Sequence, residues 1–388
     1  MTFPDRGFPD QEFHARVRNV QKLMANAGLD ALFLTMEADV RYFTGFLTRF
    51  WESPTRPWSI VMPRSGDPIA VIPSIGAHLM EQSWIQDIRT WRAPDYEDDG
   101  LSLMVNTLCE ITPDGGQIGV PSGLETHIRL PRSSIIEIES RIGNRSLRDD
   151  AQCVSRVRSI KSNTEIAKIE AACSIAHRAF ECVPEIARAG VPLERVFREF
   201  QSHCLLQGAD WVSYLAGGAG PGGYGDVISP ATQTPLKAGD VLMLDTGLVH
   251  DGYFCDFDRN WSVGPADPAT EDAYKKLLHA TDIAFEKAQP GCSVSTLFHT
   301  MDEVLTGGTG GGEAGRLGHG LGMQLTEGLS IIPQDHTGLE AGMVLTLEPS
   351  IEISPGRTLV HEENIAITSN GARYLSPPAP RSLPVLEL

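Results

Sequence analysis

The sequence is poor in positive charge. Its 32 lysine and arginine residues face 50 aspartate and glutamate residues, so the formal net charge is -18 at pH 7. Nucleic acids and anionic membranes bind basic surfaces, and no cluster of basic residues occurs along the chain. We therefore expect neither nucleic acid nor a membrane among its partners.

Paired cysteines and long apolar runs are also missing. The seven cysteines are scattered and never form a CxxC pair, which argues against a disulfide framework or a structural zinc site. No stretch approaches the roughly 18 apolar residues of a membrane span, and the N-terminus lacks the basic and apolar segments of a signal peptide. The sequence therefore predicts a cytoplasmic protein.

The length of 388 residues exceeds what one hydrophobic core usually serves, which predicts two domains, 1–150 and 151–388. The first opens with an amphipathic helix that starts at Asp10 and reaches a C-cap at Gly28. Short apolar runs bounded by proline and glycine make it a smaller α/β domain, with strands expected at 30–35, 58–63, 68–73 and 117–121.

The second domain is expected to contain four helices. Ser162 and Glu165 form a capping box ahead of an amphipathic pattern, which predicts the first of them. The others are expected at 193–206, at 269–288 and from Ser293.

Two glycine-rich runs interrupt this domain. The run at 217–225 lacks the Lys-Ser/Thr ending of a phosphate-binding loop and does not lead into a helix, so we interpret it as an irregular loop. The run at 306–315 predicts a connector, either a hinge or simple slack.

Acidic residues gather on a predicted β-hairpin. Asp251-Gly252 is a two-residue turn signal between two β-prone runs. Counting outward from it places 245 opposite 258 and 247 opposite 256, so Asp245, Asp256 and Asp258 share one face. Carboxylates crowded in this way repel one another unless a cation offsets them. A metal ion is one possibility, and Arg259 or a backbone cap is the other.

Three more candidate ligands follow along the chain. His319 lies between glycines that allow close approach of the backbone to a ligand, and Glu348 and Glu362 lie in β-prone apolar runs. Together with Asp245 and Asp256 they form a mixed oxygen and nitrogen set. Such a set suits manganese, iron, cobalt or zinc and could hold a bridged metal pair.

The order and spacing of these five residues resemble the signature of the pita-bread metallopeptidases, family M24, which includes aminopeptidase P, prolidase and creatinase. The helix opening IKSNTEIAKIEAA is similar to the first helix of that catalytic domain, and RYFTGF resembles a turn of its creatinase-like N-terminal domain. The resemblance covers nearly the whole chain. It implies an α/β (α+β) protein in which a pita-bread catalytic domain follows a smaller creatinase-like domain.

The resemblance also implies roles for the five residues. Asp245 would chelate one divalent ion, His319 and Glu348 would hold a second, and Asp256 and Glu362 would bridge the pair. A hydroxide between the ions would be the nucleophile. Glu348 and His319 are the expected catalytic residues, with Glu348 as proton acceptor.

The sequence departs from the family around this set. The peptidases usually carry a second histidine seven residues after the ligand histidine, where this chain has Thr326, and a further histidine in the region that is 217–237 here. The prolidase arginine two residues before the last ligand glutamate is Val360. Glu363 is an alternative to Glu362 as that ligand, because the resemblance alone fixes the register.

Two enzymatic functions follow from these observations. The first is a dinuclear metal hydrolase that cleaves a short proline-containing peptide, as Xaa-Pro aminopeptidase and prolidase do. The alternative is a hydrolase or lyase of the same fold that cleaves a C-N or C-S bond in a small zwitterion resembling ectoine, creatine or dimethylsulfoniopropionate. A third hypothesis is a binding module without catalytic activity. The intact ligand set argues against it, because carboxylates gathered without a metal would destabilise the protein.

Substrate contacts are expected from two places. In this fold the N-terminal domain commonly borders the active site of the partner subunit, so a homodimer could present Arg49, Trp51 and Arg56 to a charged substrate. The other candidate pocket residues lie in the catalytic domain, at Trp211, Tyr214 and Thr326.

Overall fold

A computed structural model describes residues 3–53, 56–309 and 315–388. The described chain forms two compact units, Asp5–Arg158 and Ser159–Leu388, the second of which also includes Phe3 and Pro4. Among the described residues, no helix is both long enough and apolar enough to cross a membrane.

The N-terminal unit contains a mixed six-stranded sheet in the order β4-β3-β2-β1-β5-β6. Its first helix buries one apolar stripe and ends where Gly28 adopts a left-handed conformation, with φ 70. The elements are α1 Asp10–Ala27, β1 Ala31–Leu34, α2 Glu37–Thr44, β2 Ser59–Pro63, β3 Ile69–Pro73, α3 Ala77–Met80, β4 Asp87–Trp91, α4 Leu101–Ile111, β5 Gln117–Val120, α5 Arg132–Arg141, β6 Ser146–Asp149 and α6 Cys153–Ser159.

In its described part, the C-terminal unit has three sheets, the four expected helices and a short fifth helix at Val183–Ile186. The largest sheet has the order β16-β10-β8-β7 with β9 paired to β8, the second is β11-β14-β15, and the third is β12-β13. The elements are α7 Asn163–Glu181, α8 Val183–Ile186, α9 Leu193–Leu206, β7 Trp211–Pro221, β8 Asp240–His250, β9 Tyr253–Phe254, β10 Phe257–Val263, α10 Pro268–Lys287, α11 Val294–Thr306, β11 Val344–Leu347, β12 Ser350–Ser354, β13 Arg357–Val360, β14 Glu363–Thr368, β15 Gly371–Tyr374 and β16 Val385–Leu386.

The expected capping box opens α7. The Ser162 hydroxyl accepts the Glu165 N–H at 3.2 Å, and the Glu165 carboxylate accepts the Ser162 N–H at 2.9 Å. Both bonds satisfy N–H groups that have no partner within the helix.

Ser162→Ala should therefore destabilise the C-terminal unit by about 1 kcal/mol. In a unit of this size that loss lowers the melting temperature by roughly 2–4 °C in differential scanning calorimetry. Ser162→Thr keeps the hydroxyl and serves as the control. A melting temperature for Ser162→Ala equal to that of the wild type would contradict the capping role.

The hairpin between β8 and β9 has the expected register. Asp251 and Gly252 both have positive φ, 48 and 84, which is the geometry of a two-residue hairpin turn. His250 pairs with Tyr253, and Asp245 pairs with Asp258 further along. The hairpin prediction is confirmed, and it sets two carboxylates opposite each other.

The expectation of an irregular loop at 217–225 is wrong for its first part. Residues 217–221 belong to β7, which pairs with β8 along its length. A Cβ atom on Gly217 would lie 2.1 Å from the Met243 carbonyl oxygen, so only glycine permits this close approach. The expected connector at 306–315 is only partly described. Thr306 is the last residue of α11, and residues 310–314 lie outside the described residues.

Candidate metal centre

Three of the predicted ligands meet in the interior of the C-terminal unit. His319 Nε2 lies 3.3 Å from Asp256 Oδ2 and 3.9 Å from Glu362 Oε1. Ligand atoms of all three residues lie within 4.8 Å of one another. Asp256 lies just before β10, and Glu362 just before β14, so the ends of two sheets converge on the histidine.

The other two predicted ligands border this cluster. Asp245 is buried in the middle of β8, and Glu348 is half-buried directly after β11. Burial raises the pKa of Asp245 well above its ordinary value, and the charges of Asp256 and Glu348 add to the effect. The five carboxylate and imidazole groups therefore form one electrostatic unit.

The His319 ring is held in an orientation suited to metal binding. Its Nδ1 lies 3.0 Å from the Gly320 carbonyl oxygen, which can only accept, so Nδ1 carries the hydrogen. Nε2 then presents a lone pair toward the carboxylates. Metal-binding histidines commonly use a second hydrogen bond in this way.

The glycines beside His319 serve a purpose other than the expected one. A Cβ atom on Gly318 would lie 2.3 Å from the Thr346 carbonyl oxygen, and one on Gly320 would lie 2.0 Å from the Glu327 carbonyl oxygen. The close approach is thus to neighbouring backbone, not to a ligand. Thr346 also donates its N–H to the His319 carbonyl oxygen at 2.7 Å, which fixes the loop against β11.

Asn364, which has no role in the sequence analysis, and Asp258, which the sequence places on the acidic face of the hairpin but not among the five ligands, hold the backbone of the cluster. The Asn364 side chain accepts the Asp256 N–H at 3.0 Å and donates to the Asp256 carbonyl oxygen. Asp258 accepts the Glu362 N–H at 2.8 Å and the Asn260 amide at 3.2 Å. Asp258 is therefore satisfied by donors, as an orienting residue would be.

The cluster leaves carboxylate oxygens without hydrogen-bond donors. Oδ1 of Asp245, Oδ1 of Asp256 and Oε1 of Glu362 are buried, and none has a hydrogen-bond partner among the described residues. Burial raises the pKa values of Asp256 and Glu362, and it raises that of Glu348 to about 7. Unpaired buried carboxylates are costly unless a cation offsets them, so the donor set fits divalent metal ions.

Glu363 points into a different network. Its carboxylate bonds Arg259 Nη2 at 3.1 Å, the Ser376 hydroxyl at 2.5 Å and the Ala379 N–H at 2.8 Å. His361 Nε2 lies 3.6 Å from it. The positive charge of Arg259 thus offsets the negative charge of Glu363 and not the charges of the hairpin aspartates. Because Glu363 is already paired, the geometry favours Glu362 as the metal ligand.

The predicted pocket residues of the C-terminal unit lie at different places. Burial, together with the charges of Asp245 and Asp256, raises the pKa of Tyr214 well above its ordinary value. Trp211 pairs with Val249 near the hairpin turn, about 13 Å along the strand from Asp245. The Thr326 hydroxyl accepts a hydrogen bond from Arg316 Nη2 at 2.8 Å. The sequence analysis did not single out Arg316.

The three candidates of the N-terminal unit pack within that unit. Arg49 pairs with Glu52 at 3.2 Å on the surface. Trp51 is buried, and the Arg129 guanidinium lies 5.1 Å from its ring centre. Arg56 lies 5.0 Å from the ring centre of Phe50. These contacts account for their local packing, and a role at a partner's site stays a prediction.

Two family models match the chain. The model of metallopeptidase family M24 matches residues 167–369, and the creatinase/prolidase N-terminal domain matches residues 16–160. An uncharacterized peptidase, YqhT of Bacillus subtilis, is 27% identical over 96% of this chain and 100% of its own. The probable dipeptidase PepE of Mycobacterium tuberculosis is 26% identical over 95% of each chain.

Solved structures share the fold. The dipeptidase PepE from Mycobacterium ulcerans superposes with a TM-score of 0.84 at 24% identity, covering 98% of this chain and 100% of its own. A prolidase from Thermococcus sibiricus gives 0.86 at 22% identity, covering 96% and 99%. The expected pita-bread fold with a creatinase-like N-terminal domain is confirmed. Because the family model spans more than half of its residues, the chain belongs to metallopeptidase family M24, a family of metal-dependent hydrolases.

Proposed function

We propose that the protein is a dinuclear metal-dependent hydrolase that cleaves short peptides of the Xaa-Pro type. The observation that carries the proposal is the set of unpartnered carboxylate oxygens around His319 Nε2. Relatives named dipeptidase and solved structures named prolidase support the choice of substrate. Asp245, Asp256, His319, Glu348 and Glu362 would hold two ions of manganese, iron, cobalt or zinc.

The proposal gives chemical roles to the metal ions, to His319 and to Glu348. Divalent ions held there would lower the pKa of bound water and polarise the substrate carbonyl. His319 keeps its Nε2 lone pair aimed inward through the Gly320 carbonyl. Glu348 is half-buried directly after β11, so it would accept a proton from the attacking water and pass it to the leaving nitrogen.

The proposal predicts that chelated protein regains hydrolysis of alanyl-proline when one of the four candidate metals is restored. Activity should be absent with chelator, because the proposed nucleophile is a water whose pKa the metal ions would lower. Initial rates measured with each metal in turn test this prediction. The same protein should be assayed against creatine, ectoine and dimethylsulfoniopropionate.

Those small zwitterions represent the second candidate function. Thr326 and Val360 stand where the peptidases carry a histidine and an arginine, which favours a substrate other than a peptide. Faster metal-dependent turnover of one zwitterion than of any Xaa-Pro dipeptide would establish the alternative and remove the peptidase proposal.

Assembly and location complete the proposal. We propose a homodimer in which Trp51 or Arg56 borders the partner's site, a proposal supported by analogy of fold alone. The cytoplasm is the proposed compartment, supported by the free state of the seven cysteines.

A further inference from the structure

Tyr224 is the one aromatic residue of the glycine-rich run at 217–225, and its side chain is buried. Its backbone forms two hydrogen bonds with Thr358 of β13, at 3.0 Å and 2.9 Å. A Cβ atom on Gly223 would lie 3.1 Å from the Thr358 carbonyl oxygen, so the glycine beside Tyr224 lets the two segments approach closely. These contacts fix Tyr224 against β13.

The Tyr224 hydroxyl joins the backbone of β13 to a side chain of β10. It accepts the Val360 N–H at 2.6 Å and donates to Asn260 Oδ1 at 3.1 Å. The Asn260 amide nitrogen donates to the Val360 carbonyl oxygen at 2.8 Å and to Asp258 Oδ2 at 3.2 Å. A backbone carbonyl can only accept, so the NH2 group of Asn260 must face it and the amide oxygen must face Tyr224. One orientation therefore satisfies all three side chains, Tyr224, Asn260 and Asp258, which we call the Tyr224 network.

The Tyr224 network ends at a proposed metal ligand. Asp258 is fully buried, and its Oδ1 accepts the Glu362 N–H at 2.8 Å. The network thus holds the N–H and the carbonyl of Val360 and the N–H of Glu362. Oε1 of Glu362 lies 3.9 Å from His319 Nε2 and has no hydrogen-bond partner among the described residues. Since no hydrogen bond holds this oxygen, its position depends on how firmly the backbone of Glu362 is held.

We propose that Tyr224 is a positioning residue of the metal centre. Through the Tyr224 network its hydroxyl fixes the backbone that carries Glu362, and this strengthens metal binding. The inference rests on the proposed function and deepens it, because it names a residue outside the ligand set on which the metal affinity depends. Groups that orient metal ligands from behind commonly contribute about 10-fold to 100-fold to the affinity. Because Tyr224 acts through two other side chains, we expect about 10-fold.

The metal affinity of Tyr224→Phe tests this role without an activity assay. Each protein is stripped of metal and titrated with Co²⁺ against a competing chelator, and the visible absorption of the bound ion is recorded. Tyr224→Phe should weaken Co²⁺ binding by about 10-fold and alter the absorption spectrum, because the backbone of Glu362 is held less firmly. Tyr274→Phe is the matched control, since it removes another buried hydroxyl of the same unit, which donates to the Pro380 carbonyl oxygen at 2.8 Å. It should keep the affinity and the spectrum of the wild type.

Urea unfolding of the chelated proteins separates positioning from general destabilisation. Both tyrosine variants lose a buried hydrogen bond, so both should be less stable than the wild type. Only Tyr224→Phe should also bind Co²⁺ more weakly. Weaker binding of equal size in Tyr274→Phe would overturn the inference, because the effect would then follow from the loss of any buried hydroxyl.

A double substitution tests whether Tyr224 acts through Asn260. Asn260→Ala removes the amide between Tyr224 and Asp258, so it should weaken Co²⁺ binding at least as much as Tyr224→Phe does. The double variant should then bind Co²⁺ as weakly as Asn260→Ala alone, because residues of one network are not additive. Two factors that multiply would show that Tyr224 acts independently of Asn260, which would overturn the inference.

The outcomes for this inference differ from those for the proposed function. Co²⁺ binding that is weaker in Tyr224→Phe than in Tyr274→Phe, in a wild type that cleaves no Xaa-Pro dipeptide, would keep the inference and remove the proposed function. Metal-dependent cleavage of alanyl-proline with equal Co²⁺ affinities in the two variants would overturn the inference and keep the function.

Discussion

The double substitution Asp256→Ala and Glu362→Ala is expected to abolish metal binding and to reduce kcat/KM on an Xaa-Pro dipeptide by about 10³-fold or more. Both carboxylates touch the cluster around His319, and both have a buried oxygen without a described partner. In the proposed arrangement both residues would hold the ions, so the ions would lose part of their ligand set without them. Elemental analysis of the purified proteins gives the metal content per chain.

The matched control is Asp272→Ala with Glu352→Ala, which removes one exposed aspartate and one exposed glutamate of the same unit. It should keep the metal content and the activity of the wild type. Metal content in the Asp256/Glu362 variant equal to that of the control would show that the ions bind elsewhere.

Without metal, Glu348→Gln is expected to stabilise the protein at pH 8 and to leave its stability unchanged at pH 4.5. The pKa of Glu348 is raised from 4.5 to about 7, chiefly by burial. A raised carboxyl pKa means that the folded state binds the proton more tightly than the unfolded state does. The stability that this proton provides is present below pH 4.5 and lost as the pH rises through 7, a difference of about 3 kcal/mol.

Urea unfolding in the presence of chelator measures this difference. The raised pKa values of Asp245, Asp256 and Glu362 act in the same direction and should add a decline with pH in both proteins. Adding manganese should reverse the order at pH 8, because Glu348→Gln lacks a proposed ligand and gains less from the ion. A chelated Glu348→Gln protein less stable than wild type at pH 8 would contradict the electrostatic account.

Local chemistry explains which parts of the fold the sequence could predict. The capping box at Ser162 and the turn at Asp251 are decided by residues within four positions of each other, and both form as expected. The prediction of a loop is wrong for residues 217–221, because the need for glycine there comes from the Met243 backbone of β8. A requirement set by a partner strand cannot be seen in the run itself.

The same distinction applies to the site. The resemblance to family M24 named in advance the two carboxylates and the histidine that meet in one cluster, because their order and spacing along the chain match the family signature. It could not choose between Glu362 and Glu363, since the choice depends on Arg259 and Ser376 far along the chain. The two hydrogen bonds between the Asn364 side chain and the Asp256 backbone could not be predicted from the sequence, and neither could the hydrogen bond from Arg316 to Thr326. Each of these contacts joins segments that meet only in the folded protein.

The most direct test of the account is a metal titration of chelated wild-type protein, followed by its activity on alanyl-proline. We predict no hydrolysis without metal and a rise in activity that reaches a plateau as up to two ions bind per chain. Full activity in protein that elemental analysis shows to be free of metal would contradict the claim that these carboxylates and His319 form a metal-dependent hydrolytic site.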